Sequence, residues 1–174
     1  IAALTSPTAQ TADVVNARQL VVLKSATGEL ERRFSNRIGW NSPVLWSPDS
    51  TVIHVDLWSP SPGDAWTPAL ISPDNGQTRL LLKGVRATFS DPRWSADSHF
   101  LMGQLLEENQ TSLVTIDRET GSIQHLSPSG INVWGKSTFS SHDPSGHIVF
   151  LKASPSTPPD LWVIGAEQTS KPIT

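Results

Sequence analysis

The run Trp46-Ser47-Pro48-Asp49-Ser50 returns after 48 residues as Trp94-Ser95-Ala96-Asp97-Ser98, and more faintly after 48 more as His142-Asp143-Pro144-Ser145-Gly146. Self-similarity at a period of about 40 to 50 residues marks stacked supersecondary modules, each too small to bury its apolar face alone. No other feature constrains the fold as much. The 14 Pro and 11 Gly agree with it, interrupting the 174 residues too often for long helices and suiting short strands joined by tight turns.

Between the landmark turns lies a second recurring unit. Leu20-Val21-Val22-Leu23 is a short apolar run, Ala26-Thr27-Gly28-Glu29 supplies turn chemistry, and Leu30 to Phe34 leads out with charges interleaved. Ala69-Leu70-Ile71 turns through Pro73-Asp74-Asn75-Gly76 into Thr78 to Leu82, and Leu113 to Asp117 through Glu119-Thr120-Gly121 into Ser122 to Leu126. Asp160 to Ile164 leads to the poorer turn Ala166 to Ser170. The landmark is a hairpin too, with Thr51 to Leu57, His99 to Leu106 and His147 to Leu151 as outgoing strands. Each repeat is therefore four strands, a-b around the Ser-Pro-Asp turn and c-d around the Gly turn. Four short antiparallel strands per repeat predict an all-β fold, the blades of a β-propeller.

The Trp-Ser-Pro-Asp-Ser turn before a β-branched strand, with Val114-Thr115-Ile116-Asp117-Arg118-Glu119-Thr120-Gly121 and Asp160-Leu161-Trp162-Val163, resembles the TolB-type β-propeller repeat. That repeat is similar to the propeller domains of the prolyl oligopeptidase and dipeptidyl peptidase family. The resemblance covers residues 18–174. It departs at His142, where the other copies have Trp, and at the last hairpin, which lacks the Gly. The expected organisation is an N-terminal arm or irregular edge strand at 1–17, a half blade at 18–34 and full blades at 42–83, 88–126 and 137–174. Closed propellers have about four to eight blades, so three and a half imply a segment of a larger ring. Otherwise the arm completes a small ring, or two chains share one. Starting at Ile1 rather than Met, the chain is expected to be processed or excised.

Composition narrows the partners. Thirteen basic against sixteen acidic side chains, net −3, give no basic excess for a nucleic acid. No stretch approaches the roughly 18 apolar residues of a membrane span. The absence of Cys excludes disulfides and thiolate metal sites and leaves the compartment open, with periplasmic or extracellular favoured over cytoplasmic.

Candidate chemistry is sparse. Gly130-Ile131-Asn132-Val133-Trp134-Gly135-Lys136-Ser137 satisfies the literal phosphate-loop pattern, but Val133 and Trp134 crowd its middle and no helical pattern follows. It aligns instead with the inter-blade stretch Gly84 to Ser90. His142, Asp143 and His147 are ligand types, yet His99 and His147 share the repeat slot of Thr51 and read as surface residues beside a turn. Glu107 and Glu108 read as a solvated loop. No Gly-x-Ser-x-Gly occurs, and the serine machinery implied by the peptidase resemblance would lie in a separate domain. No catalytic residue and no cofactor is expected, so the chain leans away from being an enzyme on its own.

One constellation suggests binding. The d-a loops carry Arg37, Arg86 and Lys136 at spacings of 49 and 50, with Trp40 and Trp134 in the same loops and Trp58 and Trp66 in or beside a b-c loop. In a propeller these loops share one face, so the pattern predicts a basic, aromatic-rich channel mouth for an anion or peptide terminus. Solvated loop charges and blade-packing Trp are the alternative. Trp46, Trp94 and Trp162 are assigned to blade packing at one repeated slot. The leading expectation is a non-catalytic binding or scaffold module with a protein or peptide ligand, or the same chain through open blade edges, as partner. The alternative is the substrate-gating propeller of a prolyl-oligopeptidase-like serine peptidase.

Overall fold

The computed structural model describes residues 1–5, 18–39, 42–58, 66–127, 132–133, 147–154, 156–165 and 170–173. They form strands and turns in four antiparallel sheets, with no helix among the described residues. The first sheet has the order β1 (Ala2–Thr5), β2 (Gln19–Leu23), β3 (Leu30–Arg33), and the second β4 (Leu45–Trp46), β5 (Ile53–Trp58), β6 (Trp66–Ile71), β7 (Thr78–Leu80). The third is β8 (Ala87–Trp94), β9 (Phe100–Glu107), β10 (Gln110–Asp117), β11 (Ile123–His125). The fourth is β12 (Asn132–Val133), β13 (Ile148–Ser154), β14 (Thr157–Ile164), β15 (Ser170–Pro172). Every strand pairs with its sequence neighbour, the pattern of propeller blades. The chain divides into two compact units, Ile1–Val85 and Arg86–Thr174.

The repeated landmark has a concrete physical cause. Ser47 Oγ donates to Asp49 Oδ1 at 2.6 Å, and that oxygen also accepts the Thr51 backbone N–H at 3.1 Å. The second copy repeats it, with Ser95 Oγ to Asp97 Oδ1 at 2.6 Å and the His99 N–H to the same oxygen at 3.0 Å. Ser50 and Ser98 then take the left-handed conformation, at φ 59° and 64°. A short carboxylate caps the backbone groups that the turn strands, which is why Asp recurs there. These bonds hold the Asp97 carboxyl below the usual carboxylate range, the Ser95 hydroxyl being the largest cause. The Gly turns are equally alike: Gly28, Gly76 and Gly121 have φ of 70°, 75° and 73°, and each donates its N–H four residues back, to Lys24, Ser72 and Asp117.

Strand alternation then sorts the side chains. Within the first unit, Leu20 and Val22 join Phe34, Ile38, Ile53, Val55, Leu57, Ala69 and Ile71 in one core between the two sheets. The second unit's core joins Met102, Leu113 and Leu126 to Ile148, Phe150 and Ile164. Fully burying such a side chain contributes about 1.5–3 kcal/mol. A bulge at Asp91, φ 51°, shifts the β8–β9 register between Ser90 and Arg93. Opposite it, Gly103 lets the Phe89 ring cross the strand where a Cβ would overlap it.

The expected single slot for the packing tryptophans needs correction. Trp94 ends β8 and is buried, and Trp46 ends β4 half-buried against the first core. Trp162 instead lies within β14, half-buried against the second core, with Lys152 Nζ 3.3 Å from its ring centroid. The register explains it: Trp162 faces Phe150 across the ladder, a mid-strand position that no turn sets.

Candidate functional site

The segment after β3 builds the site. Buried Ile38 bridges to Arg18 on one side and to Leu57 on the other, as an extra rung beside β5. Trp58 donates its N–H to the Arg37 carbonyl at 3.1 Å, and Gly39 donates to the Asp56 carbonyl at 2.9 Å. The Arg37 backbone is thereby fixed at the end of β5. Its guanidinium lies 4.6 Å above the Trp58 ring centroid. Trp58 stands directly opposite Trp66 across the β5–β6 ladder. Gly39 supports the Trp66 ring, since a Cβ there would come within 3.0 Å of Trp66 Cε3.

One exposed guanidinium and two half-buried indoles thus share a corner. A cation on an indole face contributes roughly 0.5–1 kcal/mol at an exposed site. The stack also orients the planar guanidinium, whose N–H groups match a carboxylate bidentately. Apolar surface beside an oriented cation is suited to a peptide carrying a carboxylate.

Beneath the corner, the same face of β5 carries His54 and Asp56, alternating with the core residues Ile53, Val55 and Leu57. His54 Nε2 lies 3.7 Å from Asp56 Oδ1. Burial drives both toward neutrality: it lowers the imidazole to about 3 and raises the carboxyl to about 7. The Asp56 backbone ties the corner down a second time, its N–H donating to Ser42 Oγ at 2.6 Å.

Of the residues expected at a channel mouth, Arg37 and Trp66 come together, with Trp58 between them. Arg86 is exposed immediately before β8, in the second unit. Trp40, Trp134 and Lys136 lie outside the described residues, as do His142 and Asp143. Asn132–Val133, from the phosphate-loop-like stretch, forms the short strand β12 paired to β13. Among the described residues no three His, Asp or Glu are grouped as metal ligands. Sequence reasoning missed Gly39, His54 and Asp56. The signal was present, because a His-x-Asp-x-Trp stripe alternating with Ile, Val and Leu places two ionisable groups in a strand with a buried face.

No protein-family model matches this sequence, and no curated protein matches it. Solved structures do. The chain superposes on a putative TolB from Agrobacterium tumefaciens with a TM-score of 0.60 at 15% identity, over 91% of this chain and 56% of that one. It is similar to a puromycin-hydrolysing peptidase from Mycobacterium tuberculosis, TM-score 0.64 and 14% identity, over 90% of this chain and 24% of that one. A prolyl endopeptidase gives 0.66 at 12%, over 99% of this chain and 29% of that one. With its four-stranded antiparallel sheets, the chain has a β-propeller fold. Its sheets are similar to the propellers of the TolB, prolyl endopeptidase and puromycin hydrolase structures. The chain spans about half of the Agrobacterium protein's length and about a quarter of each peptidase's. Among the described residues no helix is long and apolar enough to cross a membrane.

Proposed function

We propose that this chain is a non-catalytic binding module of a larger propeller protein, and that the corner formed by Arg37, Trp58 and Trp66 anchors a protein or peptide ligand. The stacking of Arg37 on Trp58 at 4.6 Å carries the reading. It joins two side-chain types that dominate interface energetics on a backbone held by three hydrogen bonds, from Ile38 to Arg18, Gly39 to Asp56 and Trp58 to Arg37, and such anchors bind without first being ordered. The repeat spacing of 49 and 50 extends the proposal to Arg86 and Lys136, with Trp40 and Trp134 in the same loops of the sequence. The ligand class is a peptide with an accessible carboxylate, and an exported, periplasmic or extracellular location suits a module of this kind.

The test uses the full chain and a library of peptides in free-acid and C-terminally amidated forms, with binding followed by tryptophan fluorescence. Losing a guanidinium–carboxylate pair costs about 1.5–3 kcal/mol, so Arg37→Ala should weaken free-acid peptides by roughly 10- to 100-fold. Trp58→Ala should weaken both forms. Unchanged affinity in Arg37→Ala and Trp58→Ala would refute the site, and unchanged affinity in Arg86→Ala and Lys136→Ala would refute its extension.

A second reading has its own support. Peptidases are among the superposed structures, so the ring could restrict substrate entry to a catalytic domain elsewhere in a longer chain. A Gly-x-Ser-x-Gly motif in the parent polypeptide would favour it.

A further inference from the structure

Three polar side chains of the third sheet meet on one face, and register places them there. Gln110 pairs with Glu107, Ser112 with Leu105, and Val114 with both Gly103 and His125. Residues 110, 112 and 114 of β10 therefore share a face with Glu107 of β9 and His125 of β11. Glu107 and His125 stand on opposite sides of β10 and reach toward each other over Ser112, the small residue between them. His125 Nε2 lies 3.9 Å from Glu107 Oε2, and its Nδ1 lies 3.1 Å from Ser112 Oγ. All three belong to the second unit, whereas the Arg37 corner belongs to the first, and none of the three is buried.

An ion pair between His125 and Glu107 would need nothing on the far side of the ring. Ser112 supplies an oxygen there. A hydroxyl accepts as readily as it donates, so Ser112 Oγ can hold the Nδ1 proton and leave the Nε2 lone pair directed toward the carboxylate. Metal-ligating histidines adopt this arrangement, one ring nitrogen on the metal and the other donating to an oxygen that fixes the tautomer. The spacing agrees. Zinc bonds imidazole nitrogen and carboxylate oxygen at about 2.0–2.2 Å, which sets tetrahedral ligands about 3.4 Å apart. Closing 3.9 Å to that value takes a small turn of the Glu107 side chain, which is 41% exposed.

We propose that Glu107 and His125 bind a zinc ion, with Ser112 as the positioning residue and water in the remaining coordination places. Two protein ligands make this an open site, unlike the closed four-ligand sites that hold a fold together. The imidazole selects zinc and similar borderline ions over calcium and magnesium, which take oxygen ligands.

The experiment adds zinc chloride to the complete 174-residue chain, in a buffer that does not bind metals, and follows the imidazole C–H signals of its five histidines by proton NMR. The signal absent from His125→Gln identifies His125. It should shift and saturate below about 1 mM zinc, and calcium chloride should leave it in place. Glu107→Gln, which trades the carboxylate for a neutral amide, should raise the dissociation constant at least about tenfold. Ser112→Ala should raise it about 10- to 100-fold, the usual cost of losing an outer-shell partner, with the far-UV circular dichroism spectrum of the wild type. A His125 signal that ignores zinc up to about 1 mM overturns the proposal. So does a titration unchanged by Glu107→Gln or by Ser112→Ala, the mark of an imidazole that binds zinc on its own.

Discussion

Gly103→Ala tests the packing logic of the third sheet with a single methyl group. A Cβ at this position would lie 2.5 Å from Phe89 Cε2, closer still to Phe89 Cζ, and 2.8 Å from the Ser90 carbonyl oxygen. Carbon atoms pack best at about 3.5–4.0 Å, so the overlap is about 1 Å. Neither neighbour yields easily. Phe89 is 6% exposed and packed, and the Ser90 carbonyl is backbone leading directly into the bulge at Asp91. Overpacking of this kind costs about 1–3 kcal/mol. Alanine offsets roughly 0.4–1 kcal/mol by restricting the unfolded chain. The net expectation is a loss of about 1–2 kcal/mol, which lowers Tm by roughly 2–8 °C at this chain length. Thermal and urea unfolding followed by tryptophan fluorescence would measure it. In a Phe89→Ala background the ring overlap is gone and only the Ser90 carbonyl contact remains, so the same substitution should cost distinctly less, giving a coupling of about 1 kcal/mol or more. Equal penalties in both backgrounds, or a wild-type Tm for Gly103→Ala, would refute the steric argument.

The pair His54 and Asp56 should shape the pH dependence of stability, each titrating group adding a slope of at most about 1.4 kcal/mol per pH unit. With His54 lowered from 6.5 to about 3, stability rises with pH across that interval; with Asp56 raised from 3.8 to about 7, it falls with pH across the other. The slopes cancel where the windows overlap, so Asp56→Asn should expose the histidine alone and lose stability as pH falls from 6.5 toward 4, a result that denaturant melts at stepped pH would confirm or exclude. Trp94→Ala should destabilise by about 3–5 kcal/mol, and Trp46→Ala by distinctly less, because Trp94 is buried and Trp46 only half so; equal losses in urea titrations would contradict this ranking.

Much of the fold was legible because turns are local. Ser47 and Asp49, or Ser95 and Asp97, bond within five residues of each other, and Gly28, Gly76 and Gly121 meet a conformational demand that their own hairpins impose. Strand alternation is equally local, so Ile53, Val55 and Leu57 announce a buried face before any partner is known. The sequence by itself therefore determined the repeat, the hairpins and the alternation of faces. What it could not supply was distance between residues far apart in the chain. Arg37 stands over Trp58 only because Ile38 pairs with Leu57, and Trp66 reaches Gly39 only through the register of β6 on β5. Trp162 likewise meets Phe150 only through the register of β14 on β13. The tertiary structure alone decided these pairings, and through them the charge states of His54 and Asp56, because desolvation depends on what the folded chain places around a side chain and not on its sequence neighbours.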